Sequence, residues 1–345
     1  MRSARAGWVS VVALGSAWLW TTAGCVGDAP ATVAPNDAGS DAAIDTGSVV
    51  DTGTDSNPID ASADVVQDTG PIDAGPRCDP SKPFDPPVNE GAPVDTALAE
   101  DGVRLSPNGL ELFLTREDSI GKRINRYARK DLNSPWDPAT VETGLVVTPP
   151  SIPASMSLAL DPPALTAYLS VNVGGPWHIF VSGRSSIGGV WSTPAAVANL
   201  PSSNFTDEQP WVNPAGTRLY FMSNRSGPYH IFVATKSGVF SNPVQLDPSQ
   251  STEDRWPVLS DNELTLYYGA YDGTNGVRIY KKTRPSIGGV WTAGVPEAVL
   301  NGNGLNATSI TAPTSLSSDT CEIYFISNRN GGLGMVDAWH ARKPK

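Results

Sequence analysis

Residues Asn213–Lys236 read NPAGTRLYFMSNRSGPYHIFVATK, and their order of turn and strand decides the fold. Asn213, Pro214 and Gly216 are turn formers. An apolar run centred on Tyr220 follows, then a second turn through Ser223-Asn224-Arg225, then another run, HIFVATK. Two short aromatic and β-branched runs joined by tight turns predict consecutive antiparallel strands.

Copies of this unit recur outward in both directions. RSSIGGVW at Arg184–Trp191 returns as RPSIGGVW at Arg284–Trp291. The aromatic-centred strand recurs at Phe113, Tyr168, Tyr220, Tyr267 and Tyr324, and turns precede it at LSPNG, VNPAG and LSDNE. A third strand follows each anchor: INRYAR, HIFVSGR, HIFVATK, RIYKKTR and DAWHARK. A fourth is expected to open with an aromatic, at Trp136, Trp191, Phe240 and Trp291. Self-similarity at such a period marks a repeat architecture. The fifth anchor finds no such partner before Lys345, whereas PFDPPVNEGAPVDT, with Phe84 in the aromatic place, precedes the first. The expected fold is therefore an all-β, five-bladed antiparallel β-propeller whose last blade is completed by the N-terminal strand. Closure limits exposed sheet edges.

Strings such as LSPNGLELFLT, NPAGTRLYFMSNRSGPYHIFVATK and IYFISNRNGG resemble the TolB-type, WD-like propeller repeats of bacterial envelope proteins. The Ser-Asn-Arg element of that pattern is complete at Ser223–Arg225 and Ser327–Arg329. The resemblance covers residues 78–345 and implies the fold rather than a function.

What precedes the repeats reads differently. Arg2 and Arg5 lead into an apolar run, Trp8–Trp20, and then into TTAGC, ending at Cys25. Basic, apolar and small in that order is an export signal, too short for a span of about 20 residues. Its end resembles a bacterial lipobox, with Thr22 where leucine is usual. The resemblance implies that Cys25 is lipidated, anchoring the chain at the outer membrane or cell surface, on the periplasmic or extracellular face; an ordinary cleaved signal peptide is the alternative. Residues 26–77 hold ten aspartates and no aromatic residue, so most of the net charge of −11 lies here. Such a segment cannot bury enough apolar surface to fold, and is expected to be a disordered, self-repelling tether. Its aspartates lack the alternate spacing of a calcium loop. The chain thus divides into a signal peptide (1–25), an acidic linker (26–77) and a propeller (78–345).

Chemistry is harder to locate. No Gly-x-Ser-x-Gly elbow, phosphate loop or Cys/His nucleophile pair is present, no cofactor is implied, and no basic face suggests nucleic acid. His178 and His230 occupy equivalent third-strand positions, shared in the other repeats with Asn125, Arg278 and Asp337, so they do not form a metal cluster. Counting back from the hairpin turns aligns Glu100, Ser155, Asp207, Asp254 and Thr311 at the start of the inner strands. These five are candidates for a polar ring at one channel mouth, or for residues that brace the repeat. Trp177, Trp211, Tyr229, Trp256 and Tyr271 do not recur by blade and are candidate contacts for a ligand at that mouth. Cys78 and Cys321 are expected to pair in an exported protein. The favoured function is a membrane-tethered, non-enzymatic binding or scaffold module, monomeric, for a protein or glycan partner. The alternative is a glycan-active hydrolase using channel carboxylates as a pair.

Overall fold

The computed structural model describes residues 76–345, apart from 119–120, 146–157, 163, 173, 201–203, 250–251 and 304–305. The signal segment, Cys25, most of the acidic linker and Ser155 lie outside the described residues.

Five antiparallel sheets form the blades of a propeller. A short strand β1 (Val88–Asn89) precedes blade 1, which is β2 (Glu100–Leu105), β3 (Glu111–Asp118), β4 (Gly121–Ala128) and β5 (Thr140–Val141). Blade 2 is β6 (Leu158–Leu160), β7 (Thr166–Asn172), β8 (Trp177–Gly183) and β9 (Ala195–Ala196). Blade 3 is β10 (Asp207–Val212), β11 (Arg218–Ser223), β12 (His230–Ser237), β13 (Val239–Phe240) and β14 (Val244–Gln245). Blade 4 is β15 (Arg255–Leu259), β16 (Thr265–Tyr271), β17 (Val277–Thr283) and β18 (Val295–Pro296). Blade 5 contributes β19 (Thr311–Leu316), β20 (Glu322–Ser327) and β21 (Asp337–Arg342). Its fourth strand is β1, paired antiparallel through Val88–His340 and Asn89–Trp339. The inner strands β2, β6, β10, β15 and β19 neighbour one another in a closed circuit.

The tight inner hairpins follow from their turn residues. The amide of the fourth turn residue donates to the carbonyl of the first in Ser106–Gly109, Asn213–Gly216, Ser260–Glu263 and Ser317–Thr320. That fourth residue is left-handed each time, at φ +73° for Gly109 and +64° for Gly216, where glycine costs least.

The core is the seams. Five apolar clusters each join residues of two adjacent blades, as where Tyr168 and Ile179 of blade 2 meet Val212, Phe221 and Phe240 of blade 3. The second strands are therefore buried on both faces. Each outer aromatic packs toward the preceding blade: Phe240 meets Tyr168 edge-on at 6.1 Å, and Phe84 meets Tyr267 at 6.0 Å. A cation ending the third strand of its own blade caps each of these rings. The pairs are Arg129 over Trp136, Arg184 over Trp191, Lys236 over Phe240, Arg284 over Trp291 and Lys343 over Phe84, at 4.3–5.6 Å.

One detail differs from the sequence reading. The outer aromatics precede the outer strand in every blade but the third, where Phe240 ends β13, and each outer strand is only two residues long. Pro87, Pro194 and Pro243 stand immediately before three of these strands; with no N–H to donate, proline holds them to short edges.

Cys78 and Cys321 form a disulfide with Cα atoms 5.6 Å apart. The segment that begins at Cys78 runs beside the chain's end, Asp79 N–H donating to Pro344 O at 2.9 Å.

Candidate functional site

The inner strands share an irregularity that aims their side chains. Each of four ladders slips its register partway along, between Asp101 and Arg104, Glu208 and Trp211, Arg255 and Val258, and Pro313 and Ser315. These are β-bulges, which re-aim side chains and gather near sites. The extra residue is left-handed at Gly102 (φ +61°), Gln209 (+58°) and Trp256 (+52°). Glycine takes that conformation freely; Gln209 and Trp256 do not, and both are braced. Gln209 N–H donates to Ser170 Oγ of blade 2 at 3.0 Å, and Trp256 lies against Gly269, where a Cβ would come within 2.7 Å of the indole.

Upstream of the bulge, the described members of the aligned set take the bracing role rather than ringing the channel mouth. Glu100, Asp207, Asp254 and Thr311 are all at most 1% exposed, because their side chains turn into the seam with the preceding blade. Glu100 accepts from Thr96 Oγ1 at 2.6 Å and Arg116 Nε at 2.9 Å. Asp207 accepts from Arg225 Nη2 through both oxygens, at 2.6 and 2.7 Å. Asp254 Oδ1 lies 2.8 Å from His230 Nδ1 of blade 3, with Lys282 Nζ 3.9 Å from its other oxygen. Thr311 shares a hydrogen bond with Ser327. Burial raises all three carboxyls above their ordinary range, and these partners pull against it. The acids brace the repeat.

The third-strand position shared by His178, His230, Arg278 and Asp337 pairs with the residue three beyond each anchor. In blade 1 that pairing selects Arg123, opposite Arg116, and not Asn125, which lies two residues further on.

The residue after Asp207 is different. Glu208 is 6% exposed, and among the described residues it makes no hydrogen bond and no ion pair. Burial pushes its carboxyl up to about 7, against the pull of Arg255 on the neighbouring blade 4 and Lys122 on blade 1. Influence from two blades on either side of the axis directs this carboxyl to the channel mouth on the face where the inner strands begin, the front face. Lys122 is held by Asp101 at 3.1 Å, and Arg255 by Glu253 at 2.5 Å. The Arg255 guanidinium lies over the Tyr229 ring at 4.3 Å.

Of the five candidate aromatics, Tyr229 lies under the Arg255 guanidinium, whereas Trp256 packs against Gly269 and the apolar cluster of blades 5 and 1. Trp177 stands half-buried at the start of β8, and Tyr271, 56% exposed, lines a cavity of about 550 Å³ on blade 4 with Tyr280 and Asp272. Trp211 is corrected. It lies at the far end of its strand, 8% exposed and edge-on to Tyr220 at 5.5 Å, beside the opposite mouth of the channel.

That back mouth is narrow. Arg104 Nη2 of blade 1 donates to Pro210 O of blade 3 at 3.1 Å, and burial lowers this guanidinium to about 9. The space that remains, lined from all five blades, is about 50 Å³, room for a water or two. A ligand larger than that reaches the axis only from the front.

Sequence reasoning missed Glu208, Asp101, Lys122, Arg255 and Arg104. Aligning one residue per strand found the position that faces the seam; alternation turns the next residue the other way. The tandem acids Glu100-Asp101 and Asp207-Glu208 were the available signal.

No protein family matches the sequence, and no curated protein does. Among solved structures, TolB from Acinetobacter baumannii is similar at 14% identity, over 70% of this chain and 54% of that one, with a TM-score of 0.43. The chain spans about half the length of that protein. An endo-arabinase from Bacteroides thetaiotaomicron VPI-5482 is similar at 10% identity, over 75% and 97%, with a TM-score of 0.51. The catalytic domain of a Coprinopsis cinerea GH62 α-L-arabinofuranosidase follows at 14% identity, 76% and 97%, and 0.48. The fold is a five-bladed β-propeller, and it is the fold alone that the endo-arabinase comparison supports. At these identities likeness is confined to fold, so the propeller's function is argued from its own residues.

Proposed function

We propose that the propeller is a non-enzymatic binding or scaffold module, held at the bacterial envelope by lipid on Cys25, that takes a protein or glycan partner at the front mouth of its channel. One observation carries the reading. Of the acids on the described inner strands, only Glu208 lacks a partner, so the mouth offers one free carboxyl among charges that are already matched. Tyr229, under the Arg255 guanidinium that acts on Glu208, supplies an aromatic contact of the kind such recognition uses. A lone buried acceptor selects a partner that brings a donor or a cation and leaves unpaired any that does not.

Glycoside hydrolysis is the second reading, favoured by the Glu208 carboxyl standing near 7, where a general acid works. It needs a second carboxylate roughly 5–10 Å away. Asp101, the other acid at this mouth, is engaged by Lys122.

A glycan array beside a pull-down from envelope extract tests the proposal, using wild type, Glu208→Gln and, as a back-face control, Val190→Ser. A partner retained by the control and lost with Glu208→Gln is the expected result. Sugar release from a glycan panel that Glu208→Gln abolishes overturns it in favour of the hydrolase.

A further inference from the structure

The seams repeat a charge pattern that one of them breaks. In each blade one position near the start of the third strand pairs with the residue three beyond the anchor, and in blades 2 and 3 it stands near the acid that opens the next blade's inner strand. The third-strand residues are Arg123, His178, His230 and Arg278 in blades 1 to 4, a basic side chain every time. His230 lies 2.8 Å from Asp254, and the His178 side chain lowers the carboxyl of Asp207. At the closing seam, between blades 5 and 1, the position holds Asp337, and it faces Glu100. A third acid, Asp95, comes from the segment between β1 and β2. One carboxylate oxygen from each of Asp95, Glu100 and Asp337 lies within 4.8 Å of the others, and all three residues are at most 2% exposed.

Only part of that charge is answered. Arg116 binds Glu100 Oε1. Asp95 accepts from the amides of Ala338 and Gly91, and Asp337 Oδ1 from those of Leu333 and Gly334, all at 2.8–3.2 Å. Glu100 Oε2 is buried and has no hydrogen-bond partner among the described residues. With all three ionised, one guanidinium leaves two negative charges out of water, which is costly without a counter-ion.

We propose that Asp95, Glu100 and Asp337 bind one calcium ion, which stands at the closing seam where the other seams carry arginine or histidine. Oxygen ligands alone suit a hard cation. A point central to three oxygens no more than 4.8 Å apart lies at most about 2.8 Å from each, so a small closure of the three carboxylates brings them to the calcium–oxygen range of roughly 2.3–2.6 Å. Calcium is assigned over magnesium because a cage of protein carboxylates leaves little room for the several waters magnesium retains. The carbonyls of Thr96 and Leu98 crowd Gly334 beside Asp337, where an added Cβ would meet them at 2.9 and 2.1 Å, so further oxygen ligands are near. The ion ties the N-terminal segment, β2 and β21 together where the ring joins its ends.

The test is calorimetric titration of calcium into the purified full chain after EDTA treatment, with thermal melting in parallel. The expected result is one ion per chain and a melting temperature several degrees higher at calcium about 100-fold above Kd, with magnesium much weaker. Asp95→Asn should lose the binding. Asp337→His restores the basic residue of the other seams; it should lose the binding yet melt like the calcium-loaded wild type, with or without EDTA. A folded, stripped wild type that takes up no calcium overturns the proposal whatever the variants do, and equal or tighter magnesium binding overturns the choice of ion.

Discussion

The ammonium of Lys343, near the C-terminus, lies 5.0 Å from the centre of the Phe84 ring, near the start of the domain. The same geometry joins residues close in sequence in the other four blades, as Arg129 does with Trp136. Phe84 thus supplies by long-range contact what its counterparts supply locally. It is 5% exposed and packs in the cluster of Tyr267, Phe325 and Trp339. Phe84→Ala should cost about 3–5 kcal/mol, read as a fall in melting temperature of roughly 2–4 °C per kcal/mol. Deleting residues 79–90 removes β1 as well and should prevent cooperative unfolding altogether. Unchanged melting of the deletion would contradict the closure.

Glu208 sets a pH dependence. Its carboxyl is raised from 4.5 to about 7, so the folded chain holds that proton more tightly than the unfolded one. The resulting stability is full below about pH 4.5 and is lost as pH rises through about 7, by up to about 3 kcal/mol. Glu208→Gln removes this share of the slope. The variant's advantage over wild type should therefore be larger at pH 8 than at pH 5 in urea unfolding; an equal difference at both would refute the buried, unpaired carboxyl. Comparison with wild type cancels other groups, including Asp95, which burial also raises to about 7.

The disulfide makes its own prediction. Cys78 and Cys321 are 243 residues apart, and closing so long a loop limits the unfolded chain by an entropy worth about 4–5 kcal/mol, commonly less in practice. Cys78→Ser with Cys321→Ser should lower the melting temperature to match. Non-reduced tryptic peptides of the exported wild type should contain the linked pair by mass spectrometry, and two free thiols there would count against it.

Anchoring is tested at Cys25. Cys25→Ser should move the protein from the membrane fraction to the soluble one. Sedimentation with membranes after the change would exclude lipid at this cysteine as the anchor.

The blade count, the closing strand and the role of Phe84 were legible because the repeat writes them several times over in turn residues and aromatics. The site was less legible for the same reason. Repetition drew attention to Glu100, Asp207 and Asp254, which recur because every seam needs bracing. Arg104 does not recur, an acid at the Glu208 position recurs only as Asp101 in blade 1, and a bulge decides where these side chains point. Whether a residue faces the seam or the axis depends on a one-residue slip in register, and composition carries no trace of it. Asn125 shows the same limit, since a longer β3–β4 hairpin displaces the alignment by two residues.

The bond between Cys78 and Cys321 also decides how the domain bears mechanical load. Cys78 stands ahead of β1, and Cys321 immediately precedes β20, an inner member of blade 5's sheet. A pull on the chain from its N-terminal side therefore passes at Cys78 into a covalent link and on to β20, which is laddered to β19 and β21 along its length. The two-residue β1, whose few hydrogen bonds would otherwise peel apart first, carries almost none of it. With the bond reduced, the same pull falls directly on β1 and opens the ring at its weakest strand.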